Sequence, residues 1–422
     1  MRAEPPDAEF TGGHQVRLLR GGDALFPAIA EALLQARQEV WLATYIFHTD
    51  PAARLVADAL IATAARGVRV RVLIDGFGSN ASVDTLRAWL AGSGVELEVF
   101  RPLERWWAWL QPGQLRRLHQ KLCAVDGEIA FVGGINVIDD RHDMHHGWTA
   151  EPRLDFAVQL QGPVAADVQQ VAQALWTRAK LGRGWREEVG LLVRSAEPVA
   201  RTMQLLRDLR TRSRGRGELD GRDLAAVPDL SPALAALVVR DNLLRRRSIE
   251  RAYVEAIARA RQRVDIACPY FYPGRLFRRA LRRAAERGVR VRLLMQGKVD
   301  YRFAGLAARV LYADMLSRGI QIFEYTPAYL HAKVAVVDEA WATVGSSNID
   351  PLSLLLNLEA NVVISDQRFV ADLAQELDTA FAASVQITAA PVRKGLRGWL
   401  SRGFVAWIAN TYLRLAGITG RY

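Results

Sequence analysis

The sequence HAKVAVVD at residues 331–338 repeats the pattern of an earlier run, HQKLCAVD, at residues 119–126. Both runs have the form His-x-Lys-x4-Asp. Each is followed by a glycine-containing turn that ends in Asn, GGIN at residues 133–136 and GSSN at residues 345–348. The Asn lies at the same offset from the His in both copies, 136 − 119 and 348 − 331. One such pattern is a weak signal, but two copies with a fixed offset indicate a duplicated chemical unit.

Each copy is predicted to form a short strand, a turn and a second strand, because apolar and β-branched residues follow the His up to an Asp-Gly or Asp-Glu turn. Side chains alternate along a strand, so the His and Lys of one copy share a face. An imidazole suits nucleophilic or acid–base chemistry near neutral pH. Lys and Asn donate hydrogen bonds to phosphoryl oxygens, where charge develops during transfer. Two copies facing each other therefore predict a nucleophile on one side of phosphorus, a proton donor on the other, and no metal.

The duplication extends beyond the motifs. Residues 36–47 match residues 260–271, and residues 66–73 match residues 287–294. The first copy is predicted to run, before its motif, through helix 28–37, strand 40–47, helix 52–66 and strand 68–75. Strands that alternate with amphipathic helices favour an α/β fold. We therefore expect two pseudo-symmetric lobes, each a mixed β-sheet flanked by helices, with their motif strands adjacent and one composite active site between them.

The chain is expected to divide into four parts. These are an N-terminal lobe over residues 1–182, a basic linker over 183–232, a C-terminal lobe over 233–385 and a basic, aromatic tail over 386–422. The run RTRSRGRG at residues 210–217 is typical of a linker or loop. A nucleic-acid-binding patch is the less favoured interpretation of the same run.

Composition points to an anionic partner. The 422 residues carry a formal net charge of +11 and a pI near 10.0, which suits nucleic acid, acidic lipid or a phosphorylated substrate. A basic surface that only contacts water is the alternative. Only five basic residues are Lys and two of these stand in the motifs, which is typical of sites that need a compact, rotatable donor.

The apolar segments predict a soluble or peripheral protein. The N-terminal residues are polar, so we expect no signal peptide. The longest uncharged run, Thr379–Val392, is shorter than the ~20 apolar residues that span a bilayer. Cys123 and Cys268 fall in apolar, strand-like segments, which favours buried free thiols.

The paired motifs resemble the HKD motifs of the phospholipase D superfamily. More narrowly, the run ATVGSSNIDPLSLLLNLEAN at residues 342–361 resembles bacterial cardiolipin synthases. The expected lack of N-terminal membrane spans is similar to the B-type members of that family. The resemblance covers residues 15–385, approximately, and its motifs are specific for the superfamily.

The resemblance implies two-step transfer through a phosphohistidine. We assign His119 as the nucleophile and His331 as the acid and base, and the near symmetry of the motifs leaves the reverse assignment open. The side chains expected to hold the phosphoryl oxygens are those of Lys121, Lys333, Asn136 and Asn348.

The acidic residues divide into two groups. Asp126 and Asp338 belong to the motif and so to the catalytic set that the resemblance implies, but their place at the turn favours a carboxylate that bonds to the backbone. Asp155 and Glu359 each precede a strand after their motif and are better candidates for orienting an imidazole. A carboxylate bonded to the far ring nitrogen fixes the tautomer and stabilises the imidazolium.

The resemblance further implies phosphatidyl transfer between two phosphatidylglycerol molecules, which yields cardiolipin and glycerol without a cofactor. A phosphodiesterase or nuclease that acts on another lipid or on nucleic acid is the alternative, and we expect no nucleic-acid partner. Phosphatidylethanolamine as the donor, water as the acceptor and the oligomeric state are left open. A metal cluster of His142, His145 and His146 is conceivable, but a loop or pocket-lining role is favoured.

Two aromatic, basic segments are candidates for contact with an anionic membrane. The first contains Trp106, Trp107 and Trp109, and the tail contains Trp399, Phe404 and Trp407. Tryptophan favours membrane interfaces, and basic side chains are drawn to anionic headgroups. Packing on the protein's own core is the alternative, nearly as favoured for the first segment. We expect a peripheral protein at the cytoplasmic face of the inner membrane.

Overall fold

The computed structural model describes residues 10–102, 117–144, 146–193, 233–240, 247–298, 309, 311–350 and 357–389. Its strands are β1 Thr11–Arg20, β2 Glu39–Thr44, β3 Arg69–Asp75, β4 Glu96–Phe100, β5 Leu122–Val125, β6 Ile129–Gly133, β7 His142–Asp143, β8 Gly147–Trp148, β9 Phe156–Gln161, β10 Ala233–Arg240, β11 Arg263–Ala267, β12 Arg290–Gln296, β13 Gln321–Tyr325, β14 Val334–Val337, β15 Trp341–Gly345, β16 Glu359–Ser365 and β17 Ser384–Ile387. Its helices are α1 Gly21–Gln35, α2 Pro51–Ala65, α3 Val83–Leu90, α4 Pro163–Val193, α5 Ser248–Arg259, α6 Arg275–Glu286, α7 Tyr312–Leu316 and α8 Gln367–Ala382.

Fifteen of these strands form one mixed sheet with a duplicated order. Strands β2, β3 and β4 are parallel neighbours, as are β11, β12 and β13. Each parallel set continues through the antiparallel strands of its motif hairpin. The halves join where β1 pairs antiparallel with β10, at Thr11 and Ala235. The expected mixed sheet is confirmed. The motif strands of one half do not pair with those of the other half in this sheet, but β6 contacts β15 and β16.

Local sequence explains where several helices begin. Asp50 accepts a hydrogen bond from the Ala53 N–H at 2.9 Å, and Pro51 occupies the first turn of α2. Asp366 caps α8 in the same way, by accepting from the Phe369 N–H at 2.8 Å. Helix α1 begins earlier than predicted, because the carboxylate of the distant Asp140 accepts the N–H of Gly22. The other three elements predicted in the first copy are present within a few residues of their expected bounds.

The buried apolar side chains of the described residues form three clusters. One lies between α1–α3 and the sheet of the first lobe, and a second lies between α5–α7 and the sheet of the second lobe. The third is shared: Val132 and Val344, from the two motif hairpins, belong to the same cluster as Val168 of α4 and Leu373 of α8. Burial of this shared layer holds the two lobes, and therefore the two motifs, in one arrangement.

Two elements cross expected domain boundaries. Helix α4 continues past residue 182 to Val193, and β17 continues past residue 385 to Ile387, where it pairs with β13. The division into four parts otherwise stays a prediction. No helix in the described ranges combines the length and apolar character needed to cross a bilayer. The aromatic candidates lie outside the described residues: Trp106, Trp107, Trp109, Trp399, Phe404 and Trp407.

Candidate active site

Crossed backbone contacts bring the two motifs together. The His119 N–H donates to the Leu358 carbonyl at 3.0 Å, beside a parallel bridge between Leu118 and Leu358. In the other half, the His331 N–H donates to the Leu154 carbonyl at 2.9 Å. Each anchoring Leu immediately precedes a carboxylate residue of its own lobe. The backbone therefore places the carboxylate of one lobe beside the imidazole of the other.

The side chains follow this crossing. His119 Nδ1 lies 3.0 Å from Glu359 Oε2, and His331 Nδ1 lies 2.5 Å from Asp155 Oδ2. Both carboxylates are fully buried, while the imidazoles keep a small exposed area. With Nδ1 bonded to a carboxylate, the Nε2 atom of each ring is the one that can reach a substrate.

The two carboxylates differ in their surroundings. The Ser346 hydroxyl donates to Glu359 Oε2 at 2.6 Å. The equivalent position beside Asp155 is Gly134, where a Cβ would stand only 2.3 Å from Asp155 Oδ1. Burial raises the pKa of Asp155 to about 6. Burial also opposes ionisation of Glu359, but the neighbouring His119, Lys121 and Ser346 hold its pKa below the ordinary value.

The motif lysines crowd positive charge into this space. Lys121 Nζ donates to the His119 carbonyl at 2.7 Å, and Lys333 Nζ donates to the His331 carbonyl. Burial lowers the pKa of Lys121 to about 7 and also lowers that of Lys333. Burial likewise lowers the pKa of both imidazoles, and Lys333 lowers that of His331 further. A phosphodiester anion is the kind of ligand that would relieve this crowding.

The motif asparagines are oriented for donation. Asn136 Oδ1 accepts the Ile46 N–H at 3.2 Å, and Asn348 Oδ1 lies 3.9 Å from the Cys268 Sγ that donates to it. Their amino groups are therefore the ends that can donate to phosphoryl oxygens. The described structure thus brings together the two imidazoles, the two motif lysines and the two carboxylates, and the roles of all eight predicted residues stay predictions.

Comparisons with known proteins identify the family of this chain. Residues 29–151 and 253–383 match the family described as "Cardiolipin synthase, PLD-like domain". The chain is 37% identical to cardiolipin synthase B of Escherichia coli strain K12, over 89% of this chain and 82% of that protein. The chain belongs to the cardiolipin synthase family. The resemblance seen in the motifs and the expected enzyme class, a phosphatidyltransferase, are confirmed.

More distant relatives agree. Cardiolipin synthase A of Pseudomonas putida strain GB-1 is 30% identical over 89% of this chain and 70% of that protein. The crystal structure of phosphatidylserine synthase from Haemophilus influenzae Rd KW20 superposes with a TM-score of 0.61 at 13% identity, covering 96% of this chain and 95% of that one. That likeness supports the fold alone.

The motif aspartates bond to the backbone and not to the residues predicted to bind phosphate. Asp126 accepts the N–H groups of Arg37, Gln38 and Glu39 at 2.7, 2.9 and 2.8 Å. Asp338 accepts three consecutive N–H groups, those of residues 261–263, in the second lobe. Both have a positive φ, 53° and 51°, which Asp tolerates better than most residues. The structure therefore favours the backbone-bonding role over the catalytic role for both carboxylates.

Asp126→Asn is expected to lower the free energy of unfolding by about 1–3 kcal/mol while the folded enzyme keeps its rate. The amide can still accept through its oxygen, but its amino group would face the Arg37 N–H, where two donors repel. Denaturant unfolding and the specific activity of the folded fraction measure the two effects. Asp338→Asn is the matched variant in the other lobe. A large loss of rate at unchanged stability would place Asp126 in the chemistry instead.

Sequence reasoning missed three residues near the site. Asp75 Oδ2 accepts the N–H of Leu118, the residue before His119, at 2.9 Å. Gln296 has the same task in the second lobe, by accepting the Leu330 N–H at 2.7 Å. The repeat alignment pairs these two positions, so their occurrence at equivalent strand ends was a usable signal. The third is Tyr45, whose ring centroid lies 5.1 Å from that of His119.

Proposed function

We propose that this protein transfers a phosphatidyl group from one phosphatidylglycerol to a second, forming cardiolipin and releasing glycerol. The observation that carries the proposal is the crossed pair of His–carboxylate contacts, flanked by two buried lysines. Such a site offers two imidazoles and a positive environment to a phosphodiester. Relatives named cardiolipin synthase imply a phospholipid substrate and support this one.

In the first step, His119 Nε2 attacks phosphorus and the bond from phosphorus to the headgroup glycerol oxygen breaks. The protonated His331 gives its Nε2 proton to that oxygen, and glycerol leaves. In the second step, His331 Nε2 removes the proton from a glycerol hydroxyl of the second phosphatidylglycerol. The resulting oxygen nucleophile attacks the phosphohistidine, which regenerates His119. Lys121, Lys333 and the two asparagines donate to the phosphoryl oxygens throughout.

The electrostatic difference between the halves supports His119 as the nucleophile. A phosphorylated imidazole is cationic, so it is stabilised by a carboxylate that stays ionised. Glu359 fits this requirement, because its pKa is held low. Asp155 has a pKa of about 6, which is closer to neutral pH. It therefore suits the His that exchanges a proton twice per turnover. The bound phosphodiester anion would favour protonation of His331 for the first step.

The test is product analysis with full-length protein and vesicles that contain phosphatidylglycerol. Mass spectrometry of the lipids should show cardiolipin, with glycerol released in equal amount. His331→Asn protein is the control for contaminating activity. Phosphatidic acid as the main product would indicate a hydrolase, and cleavage of DNA without lipid turnover would indicate the nuclease alternative. Either result overturns the proposed transfer.

We further propose that the protein is peripheral to an anionic membrane, at the cytoplasmic face of the inner membrane. Support comes from the sequence of the tail after residue 389, which lies outside the described residues. Arg393, Lys394, Arg397 and Arg402 precede the uncharged run Gly403–Leu413. Each basic residue near an anionic surface contributes roughly 1 kcal/mol, and salt screens that attraction.

Truncation after Pro391 is expected to release the protein from anionic vesicles. Turnover of a soluble, short-chain phosphodiester should survive, because the described site residues all precede the cut. Vesicle sedimentation at low and high salt measures binding, and the soluble assay controls for folding. Binding equal to that of the full chain would make the segment with Trp106, Trp107 and Trp109 the leading candidate for the anchor.

A further inference from the structure

Three side chains converge outside the phosphoryl site. His48 and Asp50 lie between β2 and α2, and His142 lies in β7. His48 Nδ1 is 3.2 Å from Asp50 Oδ2, and His142 Nδ1 is 3.6 Å from the same oxygen. One ligand atom from each residue lies within 4.8 Å of the other two. Sequence spacing assigned no role to His48 and grouped His142 with other histidines.

The shared carboxylate is rigidly held. Asp50 Oδ1 accepts the Ala53 N–H at the start of α2, and Oδ2 accepts the Asp139 N–H, both at 2.9 Å. Both imidazole Nδ1 atoms are buried and face this carboxylate, but among the described residues neither has a partner with good hydrogen-bond geometry: His48 is within hydrogen-bond distance of Asp50 at a poor angle, and His142 is beyond that distance. The two buried nitrogens and the oriented carboxylate therefore lack a common partner. Buried polar groups normally have one.

A divalent metal ion meets that need geometrically. Zinc binds His nitrogen at about 2.0–2.1 Å and carboxylate oxygen at about 2.0–2.2 Å, mostly with tetrahedral angles. Neighbouring ligand atoms in such a tetrahedron are therefore about 3.3 to 3.5 Å apart. The two N–O distances, 3.2 and 3.6 Å, bracket that value. We propose that His48, Asp50 and His142 bind one divalent cation of the zinc class, with a fourth position open to water.

The surrounding groups fix the ligand orientations. The His142 ring stacks on Trp148 with centroids 5.0 Å apart, and it lies at 74° to the His48 ring with centroids 4.5 Å apart. The backbone N–H of His48 donates to the backbone carbonyl of Val137 at 2.8 Å. Oriented rings and a carboxylate that accepts backbone N–H groups are the supports expected around a metal site.

The location indicates what the ion does. Val137 directly follows Asn136, and His142 begins the β7–β8 hairpin. An ion at this point ties that hairpin to the loop after β2, which also holds Asn136 through the Ile46 N–H. Its role is therefore to stabilise one wall of the site, separate from the imidazoles of His119 and His331. This inference does not depend on the identity of the lipid substrate.

The experiment uses the full chain without an affinity tag, stripped with a chelator and then given Zn²⁺ or Co²⁺. About one equivalent of zinc should remain after desalting, and Co²⁺ should give the visible absorption typical of a four-coordinate site. His48→Gln and His142→Gln should each weaken zinc binding by about tenfold or more. Loss of a residue that only hydrogen-bonds to a metal ligand already lowers metal affinity by about that factor. At one fixed zinc concentration, the ion should raise the melting temperature of wild type more than that of His142→Gln, because the variant binds zinc more weakly.

Two controls separate this site from others. His146 stands in the same hairpin but bonds to Asp143 at 2.9 Å, so His146→Gln should bind zinc like wild type. A His119→Asn, His331→Asn double variant should also keep the ion, which excludes binding by the motif imidazoles. If a His variant fails to fold, Asp50→Asn replaces it, because Asn still caps α2 but removes the anionic ligand.

Two results would overturn the metal site. One is a wild-type chain that retains no ion after desalting. The other is a folded His142→Gln variant that binds zinc as tightly as wild type. Either result would mean that His48, Asp50 and His142 interact with one another without a metal ion.

Discussion

His119→Asn and His331→Asn are each expected to lower transfer from phosphatidylglycerol by roughly 10⁴-fold or more. Asparagine keeps a side-chain donor for the carboxylate partner, but it offers neither a nucleophilic nitrogen nor an exchangeable proton at the position of Nε2. The two variants should nevertheless differ in which step they lose. The nucleophile variant cannot form the covalent intermediate, whereas the acid variant lacks only the proton for the leaving alcohol.

A phosphatidyl ester of p-nitrophenol separates the two steps, because this leaving group departs without a proton. His331→Asn should release a burst of nitrophenol, one per active site, and accumulate labelled phosphatidyl-enzyme. His119→Asn should do neither. Labelled protein is quenched under alkaline denaturing conditions, since phosphohistidine is labile in acid. The reverse pattern would assign the nucleophile to His331, and equal trapping by both variants would contradict a single nucleophile.

Glu359→Gln is expected to lower turnover roughly 10³- to 10⁴-fold while the protein stays folded, as for other buried carboxylates that orient a catalytic imidazole. The amide matches the carboxylate in shape but cannot stabilise the cationic ring of His119. Because the pairing is crossed, the loss should appear in the burst of nitrophenol, the step that phosphorylates His119. Asp155→Asn should instead slow turnover of phosphatidylglycerol and largely spare the burst.

Ser346→Ala is the matched control for this prediction. It removes one hydrogen bond to Glu359 but keeps the charge, so the barrier should rise by no more than about 1.5–3 kcal/mol. Melting temperature and pre-steady-state rates measure folding and step assignment. A wild-type burst in Glu359→Gln would remove that carboxylate from the nucleophile, and a lost burst in Asp155→Asn would contradict the crossed roles.

Local signals were enough for much of the architecture. The turn at residues 126 and 127, with φ of 53° and 70°, follows from Asp-Gly between apolar strands. The helix that begins after Asp50 follows from its cap and from Pro51. The start of α1 was wrong by several residues, because its first N–H groups are satisfied by a carboxylate far along the chain.

The sequence by itself determined the duplication and the α/β class, because these depend on side-chain type and short spacing. It also predicted the residues that bind the phosphoryl oxygens, and Asp155 and Glu359 as orienting carboxylates, and these roles stay predictions. It could not assign each to an imidazole, since the contacts join residues 240 and 176 positions apart and depend on how the lobes pack. Contacts within each lobe hold Asp126 and Asp338 against backbone N–H groups and bring His48 to His142. All of these neighbours are set by the packed core and the sheet order, which no local pattern encodes.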